Sequence, residues 1–206
     1  PDETVVGGTY INQGFFRYHP ADGQMYSPGR SVEFPGQIDN LTTLGRRVFI
    51  GHYTKARFSV YDVDRPWNPG YEADSNPRFL GSAGQEQDRV PGGTVGPDGR
   101  IYFATKPDYG KLGGSMVVID PTTDSLEVFR NVIEDQSIYA LVPDGETFLY
   151  GTSSVRGGLG ARPSQPSSKL FKWDVGSGQK VWEKVVVPDT YEMWGLDRID
   201  GETLVG

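Results

Sequence analysis

The sequence predicts an all-β fold, a β-propeller of four-stranded antiparallel blades, with about four blades in this stretch. Three observations carry the prediction. A short strand ending in a small residue recurs as Glu3-Thr4-Val5-Val6-Gly7, Arg47-Val48-Phe49-Ile50-Gly51, Arg100-Ile101-Tyr102-Phe103-Ala104, Thr147-Phe148-Leu149-Tyr150-Gly151 and Glu202-Thr203-Leu204-Val205-Gly206. Its small residues are spaced by about 44, 53, 47 and 55 residues, the period of propeller blades. Between these stretches lies a second recurrent run, apolar and aromatic, that ends at a polar turn. Finally, Asp98-Gly99, Asp144-Gly145 and Asp200-Gly201 supply tight hairpin turns, with Gly free to take positive φ.

Taken in order within a blade, the recurrent stretches read as second strands. The third strands follow at Gly14-Phe15-Phe16-Arg17-Tyr18, Phe58-Ser59-Val60-Tyr61-Asp62, Ser115-Met116-Val117-Val118-Ile119-Asp120 and Lys169-Leu170-Phe171-Lys172-Trp173-Asp174, rich in β-branched and aromatic residues. Turns at Ala21-Asp22-Gly23, Pro121-Thr122-Thr123-Asp124 and Gly176-Ser177-Gly178 lead to outer strands near Met25, Phe79, Val128 and Val181. Inner strands are expected at Leu41-Thr42-Thr43-Leu44, Gly92-Gly93-Thr94-Val95-Gly96, Tyr139-Ala140-Leu141-Val142 and Trp194-Gly195-Leu196-Asp197-Arg198-Ile199, where small residues relieve crowding at a central channel. The blade steps are then 1–36, 37–83, 84–132, 133–188 and a partial 189–206. Both ends fall within a blade, so an incomplete piece of a larger ring is expected. A period near 50 residues would make a seven-bladed ring of about 350.

Composition narrows the function. The 206 residues carry a net charge of −7, which argues against a general binder of phosphate backbones, so no nucleic-acid partner is expected. No apolar run reaches the roughly 20 residues of a membrane span. The chain has no cysteine, which rules out disulfides and thiolate metal sites and fits a reducing compartment or an exported bacterial protein.

The loops from second to third strand and from outer to next inner strand emerge on one face, and both sets are elaborate there. They are 10–13, 52–57, 106–114 and 153–168, together with Gln37-Ile38-Asp39, Gln85-Glu86-Gln87-Asp88-Arg89, Glu134-Asp135-Gln136-Ser137 and Tyr191-Glu192-Met193. Loops on a rigid scaffold are where sites are built. The candidate catalytic residues are His52, Tyr109, Arg57 and Arg89. The candidate ligand contacts are Tyr53, Gln87, Asp88, Lys106, Lys111, Gln136, Arg156 and Tyr191. His52 reads either as a proton-transfer group or as a hydrogen-bonded structural histidine. Asp88-Arg89 reads either as a guanidinium fork for a carboxylate or as a salt bridge tying blades together. Gly157-Gly158-Leu159-Gly160 lacks the strand, Gly-Lys-Ser/Thr and helix of a phosphate loop. His19 and His52 lie in different blades, so no metal motif is read; no cofactor is expected, except that carboxylates could hold Ca²⁺.

Residues 169–183, with Asp174, the Gly176-Ser177-Gly178 turn and Trp182, resemble the blade signature of quinoprotein-like propellers, although Trp182 has no counterpart in the other outer strands. Met116-Val117-Val118-Ile119-Asp120-Pro121-Thr122-Thr123-Asp124 is similar to the repeat of bacterial surface-layer and lactonase-type propellers. The segments Asn76-Pro77-Arg78, Gln87-Asp88-Arg89, 107–114 and 157–160 are more loosely similar to propeller polysaccharide lyases. This last resemblance implies a carbohydrate partner and β-elimination on uronic acids, with Arg89 or Arg57 neutralising the sugar carboxylate and His52 or Tyr109 removing the C5 proton. An extracellular or periplasmic location goes with it. Two alternatives stand beside it: a non-catalytic protein- or glycan-binding propeller, and a Ca²⁺-dependent lactonase using Asp39, Asp88, Asp135 and Glu192.

Overall fold

The structure, a computed structural model, describes residues 3–9, 14–28, 36–200 and 203–206. Among the described residues there is no helix, and seventeen strands form five antiparallel sheets that follow one another along the chain. The first sheet holds β1 (Val5–Gly8), β2 (Phe15–His19) and β3 (Gln24–Tyr26). The second holds β4 (Gln37–Leu44), β5 (Arg47–Tyr53), β6 (Arg57–Asp62) and β7 (Arg78–Ser82). The third is β8 (Gln87–Val95), β9 (Ile101–Pro107), β10 (Ser115–Ile119) and β11 (Leu126–Arg130), and the fourth is β12 (Ser137–Pro143), β13 (Phe148–Ser154), β14 (Leu170–Asp174) and β15 (Gln179–Lys184). A two-stranded sheet of β16 (Asp197–Arg198) and β17 (Leu204–Val205) follows. In each four-stranded sheet the strands pair in sequence order, the up-and-down meander of a propeller blade.

Alternation along each strand builds the core between blades. On β9, Ile101 and Phe103 pack with Phe49, Phe58 and Val60 of the second blade, whereas their neighbours Tyr102 and Ala104 pack with Leu141, Phe171 and Trp173 of the fourth. Side chains at successive strand positions point to opposite faces, so a blade covered on both faces shows an almost continuous apolar run. The buried run Ser115–Ile119 is the clearest case. Each fully buried Phe contributes about 2–3 kcal/mol from apolar area removed from water.

The recurrent small residues lie inside their strands instead of ending them, since β5, β9 and β13 run on to Tyr53, Pro107 and Ser154. A Cβ on Gly51 would collide with Val90 on the inner strand of the next blade. At the channel, a Cβ on Gly92 would meet the Tyr139 carbonyl oxygen, so β8 and β12 approach more closely than any side chain allows. In the second, third and fourth sheets an aspartate at the end of the third strand caps the following turn: Asp62 Oδ1 accepts from Asp64 N at 2.9 Å, Asp120 Oδ1 from Thr122 N at 2.7 Å and Asp174 Oδ1 from Gly176 N at 2.9 Å.

Two further expectations are corrected. The segment Trp194-Gly195-Leu196-Asp197-Arg198-Ile199 is not a full inner strand; only Asp197–Arg198 pairs, because the Trp194 side chain is held elsewhere, as described below. Residues Gln37, Asp39, Gln87, Asp88 and Arg89 do not lie in loops. They belong to the first residues of the inner strands β4 and β8, which bulge between Ile38 and Asn40 and again between Gln87 and Gly92. The loop 10–13 and Gly201 lie outside the described residues.

Candidate functional site

The face carrying the second-to-third strand loops is stitched together across three blades. Lys55 Nζ pairs with Asp108, and the hydroxyls of Tyr53 and Tyr109 lie 3.2 Å apart. The bond from Lys55 lowers the Asp108 carboxyl pKa below the usual carboxylate range. The third-blade loop is bound to the fourth-blade loop through Gly110 N to Leu159 O and Gly158 N to Lys111 O, both 2.9 Å. A Cβ on Gly158 would strike the Asp108 carbonyl. The glycines of 157–160 therefore serve a loop-to-loop contact.

Next to that seam is a cavity of about 240 Å³, lined by Asp88, Arg89, Lys106, Pro107, Tyr109 and the 158–159 loop. Bulging of β8 leaves Arg89 half-buried beside it, between the buried Asp88 and Val90. The Arg89 guanidinium lies 3.8 Å from the Tyr53 ring centroid, and its Nη1 donates to Asp39 Oδ1 at 3.2 Å. Burial raises the Asp39 carboxyl pKa despite that guanidinium. Stacked on one side and hydrogen-bonded on another, Arg89 presents a positioned fork instead of a freely moving charge.

Lys106 Nζ lies 3.4 Å from the Tyr139 hydroxyl. Burial lowers the Lys106 pKa, with Glu192 acting in the opposite direction, and burial pushes Tyr139 up to about 12. The Tyr139 ring stacks on Trp194, centroids 5.8 Å apart and 20° between planes. Trp194 is 70% exposed, and its Nε1 donates to Glu192 Oε2 at 2.9 Å, which fixes an aromatic plate beside the cations. Glu192 also accepts from Ser154 Oγ at 3.0 Å and lies 4.0 Å from Arg156 Nε. The result is a mouth carrying three cations, Arg89, Lys106 and Arg156, edged by Tyr53, Tyr109, Tyr139 and Trp194.

Other predicted residues are placed differently. His52 is 2% exposed; Nδ1 donates to Gly36 O at 3.2 Å, and Nε2 accepts from Ser59 Oγ at 2.7 Å. Both ring nitrogens are engaged inside the blade, and burial lowers its pKa to about 3, so the ring is neutral and out of reach of the mouth. Gln87 and Gln136 are buried parts of a repeated latch. Gln87 Oε1 accepts from Thr105 Oγ1 at 2.7 Å and its Nε2 donates to Gly113 O at 3.2 Å. Gln136 Oε1 accepts from Ser153 Oγ at 2.5 Å and its Nε2 donates to Ser167 O at 2.9 Å. In both blades the hydroxyl also binds the backbone where the third strand begins, at Ser115 and at Lys169. His52 holds the corresponding position in the second blade. Arg57 opens β6 opposite His52 and does not line the cavity. Lys111 pairs with Glu86 at 2.7 Å on the outer rim, and Tyr191 is exposed, its carbonyl accepting from Val155 N.

The four carboxylates considered for calcium do not gather. Asp39 serves Arg89, Asp88 accepts from Lys55 N at 2.9 Å, Asp135 accepts from Ser164 Oγ at 2.9 Å, and Glu192 has the partners given above. Among the described residues no three His, Asp or Glu side chains form a group able to hold a metal ion. The sequence reading missed Tyr139, Trp194 and the role of Asp39. The available signal was Tyr139, an aromatic in an inner strand, Ser137–Pro143, that holds no other.

No protein-family model matches the chain, and no curated protein matches it in sequence. Solved structures similar to it include Kuenenia stuttgartiensis hydrazine synthase, with TM-score 0.64 and 15% identity over 95% of this chain and 48% of that one. The Dos1 propeller matches with TM-score 0.58 and 9% identity over 90% of this chain and 45% of that one. The extracellular domain of the two-component system BT4673 from B. thetaiotaomicron matches with TM-score 0.58 and 13% identity over 98% of this chain and 23% of that one. The chain thus spans about half or less of the length of these relatives, and at such identities the likeness shows the fold alone: a β-propeller.

Proposed function

We propose that this propeller binds an acidic carbohydrate at the mouth formed by its second, third and fourth blades. The supporting observation is the Arg89 fork, braced by Asp39 and stacked on Tyr53, at the edge of a cavity shared with Lys106 and Tyr109. A uronate carboxylate would be received by Arg89 and Lys106, and sugar faces would stack on Tyr109 and Trp194. Binding is favoured over cleavage by β-elimination because His52, the one of the two bases considered that is ordinarily in its proton-accepting form near neutral pH, is sealed inside the blade. Titration calorimetry with oligogalacturonate and with a neutral glucan oligomer tests the reading. Binding of the acidic oligomer alone is expected, weakened about 10-fold or more by Arg89→Ala. Equal binding of the two oligomers, or none of the acidic one, overturns it. Growth of the unsaturated-uronate absorbance band would shift the reading to elimination.

A further inference from the structure

On the face opposite the mouth, consecutive blades are clasped by one repeated device. Arg47 and Arg100 each lie four residues before the small residue of a second strand, and each donates to the backbone of the next blade's turn. Arg47 Nη1 donates to Pro121 O, and Arg100 Nη2 donates to Val175 O at 3.1 Å. Those carbonyls follow Asp120 and Asp174, and the two turns close identically, Asp124 N to Asp120 O at 2.8 Å and Gly178 N to Asp174 O at 3.0 Å. Asp124 and Gly178 therefore hold one position, both left-handed with φ of 60° and 65°. Register gives another equivalence: Arg78 on β7 lies opposite Val60, itself opposite Phe49. Glu127 on β11 lies opposite Val118, itself opposite Tyr102.

Between the second and third blades this position is full. Asp124 accepts from Arg47 Nη2 at 2.7 Å and from Arg78, so an arginine side chain of the chain itself occupies the groove. Between the third and fourth blades the carboxylate is replaced by Gly178 and the arginine by Glu127. A groove of about 300 Å³ remains, walled by Tyr102, Phe129 and Trp173. Phe129 and Trp173 meet edge to face at 4.9 Å. Arg100 is already compensated, since its Nε donates to Asp98 Oδ2 at 2.6 Å. Glu127 is 60% exposed on its side chain and meets that guanidinium only at 3.9 Å. The groove thus combines a wall of partly exposed Phe129 backed by the buried Tyr102 and Trp173 with a carboxylate in excess, an environment that favours a cation on an apolar stem.

We infer that the groove between the third and fourth blades docks a basic side chain, arginine or lysine, from an extended segment of a partner protein. The docked cation takes the place that Arg78 fills internally one blade earlier. The charged head meets Glu127 and the Val175 carbonyl, and the alkyl stem lies over Phe129 and Trp173.

The test is titration of the ¹⁵N-labelled protein with acetyl-Gly-Arg-Gly-amide and with acetyl-Gly-Glu-Gly-amide, followed by the Trp173 Nε1–H and Gly178 amide signals. Saturable shifts at both signals are expected with the arginine peptide and not with the glutamate peptide. Glu127→Gln should weaken binding about 3-fold or more and Glu127→Lys should abolish it, while Arg89→Ala at the mouth leaves it unchanged. Glu127 is largely exposed, so both variants keep the fold, verifiable from the rest of the spectrum. Absence of saturable shifts up to about 10 mM peptide, preference for the glutamate peptide, or indifference to Glu127→Lys overturns the inference.

Discussion

Two polar regions lie within a few residues of each other on the same strands, and they do opposite work. Gln87, Thr105 and the corresponding Gln136, Ser153 and His52 are sealed inside the blades, where their polar atoms answer backbone and hydroxyl groups of the same blade. Arg89, Lys106 and Tyr109, one to four positions away, turn toward the cavity. Pleating and the β8 bulges separate them, since a single position along a strand moves a side chain from one face to the other. A polar residue near a propeller mouth is thus as much a candidate for fastening a blade as for touching a ligand.

The sharpest way to break this contrast is to disable a latch. Gln136→Leu takes its donor from the buried Ser167 carbonyl and leaves the Ser153 hydroxyl only its bonds to the Lys169 backbone, and urea unfolding should show a loss of about 2–3 kcal/mol. Glycan binding by the folded fraction should be intact. The second blade offers a pH readout of comparable size. His52 is held neutral with a pKa near 3, below its unfolded value near 6.5, so the unfolded chain takes up a proton that the native one refuses. Stability should be unaffected above about pH 6.5 and fall as pH drops below it, by roughly 3 kcal/mol at pH 4 from this residue. His52→Asn should flatten that segment of the stability profile measured by urea titration.

At the mouth, smaller effects on stability but direct ones on binding are expected. Arg89→Ala should cost 10-fold or more in affinity for the acidic oligomer, whereas Arg57→Ala, outside the cavity lining, should change it less than 2-fold or so. Smallest of all, Tyr109→Phe removes the contact with the Tyr53 hydroxyl while keeping the ring. Affinity should shift about 2-fold and the raised Tyr53 pKa, due first to that hydrogen bond, should move back toward its ordinary value in a spectrophotometric titration.

The amino-acid pattern was sufficient for the architecture because blade construction is local and repetitive. Second and third strands announce themselves by β-branched and aromatic runs, and the turns by Asp and Gly, since hairpin pairing needs only neighbours in sequence. The four-stranded meanders Gln37–Ser82, Gln87–Arg130 and Ser137–Lys184 follow that pattern, with inner strands that begin two to five residues earlier than Tyr139, Leu41 and Gly92. Trp194 shows where the pattern fails: an aromatic at the expected inner-strand position is instead pinned by Glu192 and stacked on Tyr139.

The sequence by itself settled which stretches form the strands of a blade and the order in which they follow one another. Only the tertiary structure decided which polar groups are fasteners and which meet solvent at the mouth. That choice depends on bulges, on the close approach of β8 to β12 past Gly92, and on partners contributed by neighbouring blades. These are contacts between residues far apart in the chain, and no local period encodes them.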